Sequence, residues 1–155
     1  MGETPKQRTD RQLVELLNEL RVALPGAQVL LAFLLAVPFA TRFGRVDAKE
    51  KVALFIALIS TVGGTLMLLA PSVYHRLRWH RGGKADVVAV GNVFFLVGTA
   101  LLAVGIVAVV FLVTSVLYGT AAAVATTCVV AVLVIFLWYL LPLTRGSRPD
   151  IREQE

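Results

Sequence analysis

Two long stretches of this 155-residue chain, Val52 to Tyr74 and Val87 to Thr144, carry no Asp, Glu, Lys, Arg or His. About 20 apolar residues carry a helix across the hydrocarbon of a bilayer, so the first stretch is one span and the second can cross and return. An earlier apolar run covers Pro25 to Phe43, and the uncharged turn Tyr118-Gly119-Thr120 divides the last stretch. The pattern predicts an all-α integral membrane bundle of four transmembrane helices, at about 25–43, 52–74, 88–114 and 120–143. Before them, Leu13, Leu16, Leu17, Leu20 and Leu24 recur at three- and four-residue steps, while Arg11, Glu15 and Glu19 lie off that face. This is a short amphipathic helix, with Thr9 and Gln12 fitting a capping box at its start. It either lies on the membrane surface or extends the first span, and Pro25-Gly26 favours a bend between the two. The chain thus divides into an N-terminal segment 1–24, a membrane domain 25–143 and a tail 144–155.

Small residues mark the faces where helices can approach closely. Gln28 is followed by Ala32, Ala36 and Ala40 at four-residue steps, with Pro38 expected to kink the outer half of that helix. Ala57, Thr61 and Thr65 repeat the spacing in the second span, with Ser60 and Gly64 on a neighbouring line, and Ala121 with Ala125 and Ala122 with Thr126 do so in the fourth. In the third, Gly91, Gly98 and Gly105 stand seven residues apart, which puts all three on one side. That glycine face is the strongest candidate for a close helix contact, either within the chain or with another protein.

Composition agrees: hydrophobic residues make up 57% and charged residues 16%, too apolar for a soluble domain of this size. The net charge of +5 could point to nucleic acid, but the basic residues sit in short flanks beside apolar runs, where they report topology instead. Lys and Arg number four in residues 1–21, four between the first two spans, four between the second and third, none at the Gly119 turn and three in the tail. Eleven therefore share a side with both termini against four opposite, which predicts a cytoplasmic N-terminus and C-terminus. Tyr74, Trp79, Trp138 and Tyr139 then fall at the inner interface. The first 21 residues mix four bases with four acids, unlike a cleaved signal peptide, so the first span reads as a permanent anchor. Cys128 is the single cysteine and allows no internal disulfide.

No catalytic set emerges. His75 and His80 are five residues apart, on different faces of a helix, and no acid or cysteine cluster joins them, so no metal is expected. Phosphate loops, zinc motifs and nucleophile elbows are missing, and Ser72 and Ser115 have no base nearby in sequence; neither an enzyme nor a cofactor is expected. No acid lies inside the four spans as bounded above, which disfavours a self-contained antiporter. Polar residues at depth are Gln28, Ser60, Thr61, Thr65, Asn92, Thr99, Thr126 and Thr127. Gln28 and Asn92 are expected near the cytoplasmic boundary, bonded between helices, with a polar path for an ion or solute as the sharper alternative. Arg76, Arg78, Arg81 and Lys84 form a basic loop that reads first as a topology signal and second as a contact for anionic lipid head groups.

The segment Gln12 to Leu30, with Glu19-Leu20-Arg21-Val22-Ala23-Leu24-Pro25-Gly26 at its centre, continues to Phe33-Leu34-Leu35 and Pro38-Phe39. It resembles the opening of a small actinobacterial membrane-protein family of unknown function, as does Ala70-Pro71 followed by His75-Arg76. The resemblance covers most of the chain and implies a bacterial inner membrane and four helices. It supplies no activity and no catalytic residues, although some members carry sodium/proton antiporter labels. On it we single out Glu15, Glu19, Gln28, His75 and Arg76, with Glu19 or Glu15 pairing with Arg76 to fix the amphipathic helix on the bundle. The leading expectation is a structural or accessory membrane protein, partnered by the bilayer and by a second copy or another membrane protein. A small oligomeric channel or transporter is the alternative.

Overall fold

The computed structural model describes residues 4–40, 46–78 and 84–145, with no side-chain description for 5, 6, 9, 10, 12, 13, 16, 74–78, 84–89, 142 or 145. It is all-α, with no strand among the described residues. Helix α1 runs Pro5–Ala36, α2 Ala48–Arg78, α3 Lys84–Tyr118 and α4 Thr120–Ile135. A π-helical turn, Phe136–Leu140, and a short α5, Leu141–Arg145, close the described chain. Four segments are long and apolar enough to cross a membrane: Leu17–Phe39, Ala48–Val73, Val90–Tyr118 and Thr120–Leu140.

Three local expectations are corrected. The amphipathic stretch is helical, but it is continuous with the first span, because α1 passes through Pro25 without a break. Proline removes one backbone hydrogen bond and crowds the preceding turn. Packing on both sides of it offsets that cost: Leu20 and Ala27 are buried with Leu68 and Leu102 in one core cluster, and Leu17 and Leu24 lie against it. Leu17, Leu20 and Leu24 therefore face the bundle. The capping box sits earlier than expected, at Thr4 and Gln7: the Gln7 N–H donates to the Thr4 hydroxyl at 3.4 Å, and the Thr4 N–H donates to Gln7 Oε1 at 2.9 Å. With Pro5 at the first helical position, this start satisfies two amide donors that would otherwise be orphaned. Finally, Pro38 does not kink a longer helix. The α-helix has already ended at Ala36, and Val37–Phe39 is a 3-10 turn.

The centre of the molecule is the antiparallel α2–α3 pair. Gly98 and Gly105 of α3 face α2: a methyl added to Gly105 would lie 2.6 Å from the Thr61 hydroxyl, and one on Gly98 3.0 Å from Leu68 Cγ. The approach is mutual at Gly64, where an added methyl would meet the Gly98 carbonyl oxygen at 2.9 Å. Gly91 is also buried. The glycine face thus serves a contact within the chain, with small residues letting two backbones come together. Helix α1 lies against both α2 and α3, and α4 touches α3 but not α1. Burial follows that order: 44% of the α2 span is enclosed, against 11% in α1 and 6% in α4, where Ala123 is the buried residue.

Candidate functional site

The densest polar cluster of the described residues lies at the end of the bundle where α2 begins and α3 hands over to α4. Asp47 precedes α2, and its carbonyl accepts from the N–H groups of Glu50 and Lys51 at 3.1 and 3.2 Å. The Glu50 side chain folds back so that Oε2 accepts from the Asp47 N–H at 2.7 Å. This is the reciprocal half of a capping box, and the carboxylate also sits favourably at a helix N-terminus. The other oxygen, Oε1, accepts from the Ser115 hydroxyl of α3 at 2.8 Å. Glu50 is 7% exposed and Ser115 6%. One side chain therefore caps α2 and ties it to α3, across 65 positions of sequence. Lys49 makes the parallel tie to α4 by donating to the Thr120 hydroxyl, and its ammonium stands 3.8 Å from the exposed Asp47 carboxylate.

Glu50 is the buried, bonded acid that sequence reasoning missed. The charged loop reads as ending at Lys51, with every span free of acids; instead Glu50 lies within the Ala48–Val73 segment and is buried, and Glu19, which is exposed, lies within Leu17–Phe39. A readable signal existed. Asp-x-x-Glu ahead of an apolar run is a helix-start pattern that draws the glutamate into the first turn. Ser115, read as having no base nearby, is held by a carboxylate brought in from another helix. Its hydroxyl donates to that carboxylate, which ties α3 to the start of α2.

Away from that end, the α2–α3 seam is sealed. Ala53, Leu54, Ala57 and Leu112, with Leu34 of α1, form a buried apolar cluster. The next buried polar groups along α2 are Ser60 and Thr61, the latter eleven residues, or about 16 Å, from Glu50. Thr61 is fully buried and its hydroxyl has no hydrogen-bond partner. Thr65 donates to the Thr61 carbonyl of its own helix at 2.7 Å. Among the described residues, no three His, Cys, Asp or Glu side chains come together.

The other candidates divide. Gln28 and Asn92 are both exposed and make no hydrogen bond to a described residue, so neither joins helices within the chain. Asn92 does stand near the start of its span, as expected. Gln28 does not: the apolar segment of α1 runs back to Leu17, and Gln28 is its middle residue. Glu15 is exposed and 3.8 Å from Arg11, and Glu19 is exposed as well. The side chains of His75, Arg76, Arg78 and Lys84, and all of Arg81, lie outside the described residues, and with them the pairing expected of Arg76. An apolar groove of about 340 Å³ opens between α1 and α3 where Ala23, Gly26 and Ala27 leave room, with Trp138 beside it. Tyr139 has a buried hydroxyl without a partner.

No curated protein and no solved structure matches the chain. A family of unknown function, DUF6328, matches it over residues 2–142, and the chain belongs to that family.

Proposed function

We propose that this chain is a multi-pass protein of a cell membrane, a bacterial inner membrane by its resemblance, with both termini cytoplasmic and a structural or accessory role beside other membrane proteins. The carrying observation is where the polar groups go. Those inside the bundle are spent on fastening helices or are walled off by alanine and leucine, as between Glu50 and Thr61. Gln28 and Asn92, carboxamides without a partner in long uncharged runs, look outward, away from any path a single chain could enclose. Outward-facing amides in an apolar span call for contact with another helix, since hydrocarbon offers them nothing. The eleven Lys and Arg on the side of the termini, against four opposite, support the orientation.

An oligomeric channel or transporter is the second reading, favoured by the same outward amides, which several copies could turn toward a shared axis. Purified protein in liposomes, under imposed sodium, potassium and proton gradients, separates the two. The accessory reading expects no flux above that of empty liposomes. Flux that disappears in Gln28→Leu or Asn92→Leu would overturn it in favour of the second.

A further inference from the structure

The groove between α1 and α3 is walled by Ala23, Gly26 and Leu30 of α1, Thr99 and Ile106 of α3, and Trp138. Thr99 donates its hydroxyl to the Leu96 carbonyl of its own helix at 3.0 Å, so the wall it forms offers only hydrocarbon. Gly26 keeps the space open, since a methyl added there would meet nothing within 4 Å. At about 340 Å³ the groove lies at the lower end of the roughly 300–1,000 Å³ of small-molecule sites. A second helix, about 10 Å across, would displace roughly 800 Å³ between the levels of Ala23 and Leu30. A single hydrocarbon chain fits where a helix does not. Trp138 comes from the π-helical turn, a rare element that concentrates at functional sites. It stands two residues from the end of the Thr120–Leu140 segment, so the groove reaches toward the side of the termini.

Beyond Ala23 the same line of α1 arrives at Glu19, one turn or about 6 Å further toward the helix start. At about 100° per residue, Glu19 is turned only about 20° from Gly26 and from Leu30, whereas Arg21 is turned about 160° away from it. The Glu19 carboxylate is exposed, and no described residue bonds to it. Arg11, two turns further, stands 3.8 Å from Glu15 instead. An apolar groove therefore ends at an acid that has no counter-charge beside it.

We propose that this groove seats one acyl chain of a phospholipid whose head group carries a primary ammonium, with that ammonium at Glu19. The proposal rests on the membrane placement given above. Volume selects a lipid chain over a partner helix, and charge complementarity selects the head. A glycerol-headed phospholipid would bring its phosphate to the same carboxylate without a cation, and like charges set face to face disfavour that partner.

The test uses the full chain with Trp79→Phe, which leaves Trp138 as the sole indole. The protein is placed in liposomes of equal parts phosphatidylethanolamine and phosphatidylglycerol, with brominated chains on one lipid or on the other. Bromine quenches a nearby indole, so the Trp138 fluorescence reports which lipid occupies the groove. Quenching should show a preference of roughly threefold to fivefold for the ethanolamine lipid. Glu19→Gln should abolish the preference while the chain stays folded. Gly26→Leu, which fills the groove without a clash, should abolish it too. Equal quenching by both lipids, stronger quenching by the glycerol lipid, or a preference that survives either substitution would overturn the site. Release of the protein by an alkaline wash would overturn the membrane placement with it, whereas retention with equal quenching would sink the lipid site alone.

Discussion

Thr61 and Thr126 are the same residue on long apolar helices, and the molecule treats them in opposite ways. Thr61 is enclosed between α2 and α3, its hydroxyl unpartnered because the Gly105 backbone has closed over it. Thr126 is exposed on α4 and returns its proton to the carbonyls of Ala122 and Ala123 in its own helix, at 2.9 and 3.1 Å. The helices around them differ accordingly. The seam between α2 and α3 holds Gly64, Gly98 and Gly105 in contact, whereas the alanine pair of α4, Ala121 and Ala125, faces outward. Apolar composition alone does not bring helices together when the surroundings are equally apolar; contact comes from shape. The seam has that shape and α4 largely lacks it, so burial is concentrated in α2 and α3 and least in α4.

The contrast can be broken at its strongest point. Gly64→Leu would force a side chain into the Gly98 carbonyl and the Leu102 side chain, both 2.9 Å from the first added atom, and backbone cannot yield as a side-chain tip can. It should cost about 3 kcal/mol or more and abolish cooperative unfolding, followed by helical circular dichroism during titration with a denaturing detergent. Glu50→Ala attacks the same pair at its end. It strands the Ser115 hydroxyl and the Asp47 N–H, for about 2 kcal/mol in the same titration, and Glu50→Gln should recover roughly half. An unchanged midpoint for Glu50→Ala would remove the tie from the account of the fold.

Two smaller changes sharpen the comparison. Thr61→Val replaces an unsatisfied buried hydroxyl with a methyl of similar size, so the seam should gain up to about 1 kcal/mol. A clear loss would mean that the Thr61 hydroxyl has a role its surroundings do not reveal. Val132→Ala, on the outward face of α4 where Val132 is 65% exposed, should shift the midpoint by less than about 0.5 kcal/mol.

The four helices were legible because charge-free runs of this length have few other uses, and the glycine spacing in α3 marked the face that α2 covers. Boundaries failed where a local rule met tertiary packing. Pro25 read as a break, but Leu20 and Ala27 are anchored on either side of it. That one error moved Gln28 from the edge of its span to the middle. Glu50 was hidden by a different habit, that of assigning charged residues to loops. Its partner lies 65 positions away, and no periodicity within α2 or α3 connects the two.

The passage from α3 to α4 is a single residue: Tyr118 ends one helix, Thr120 begins the next, and Gly119 makes the reversal at a φ of 85°. A one-residue connection has two outcomes: the reversal at Gly119 folds α4 back on α3, or a helical Gly119 joins the two into one long helix whose far half packs on another copy. The conformation of a single glycine therefore decides which bundle the fourth helix belongs to.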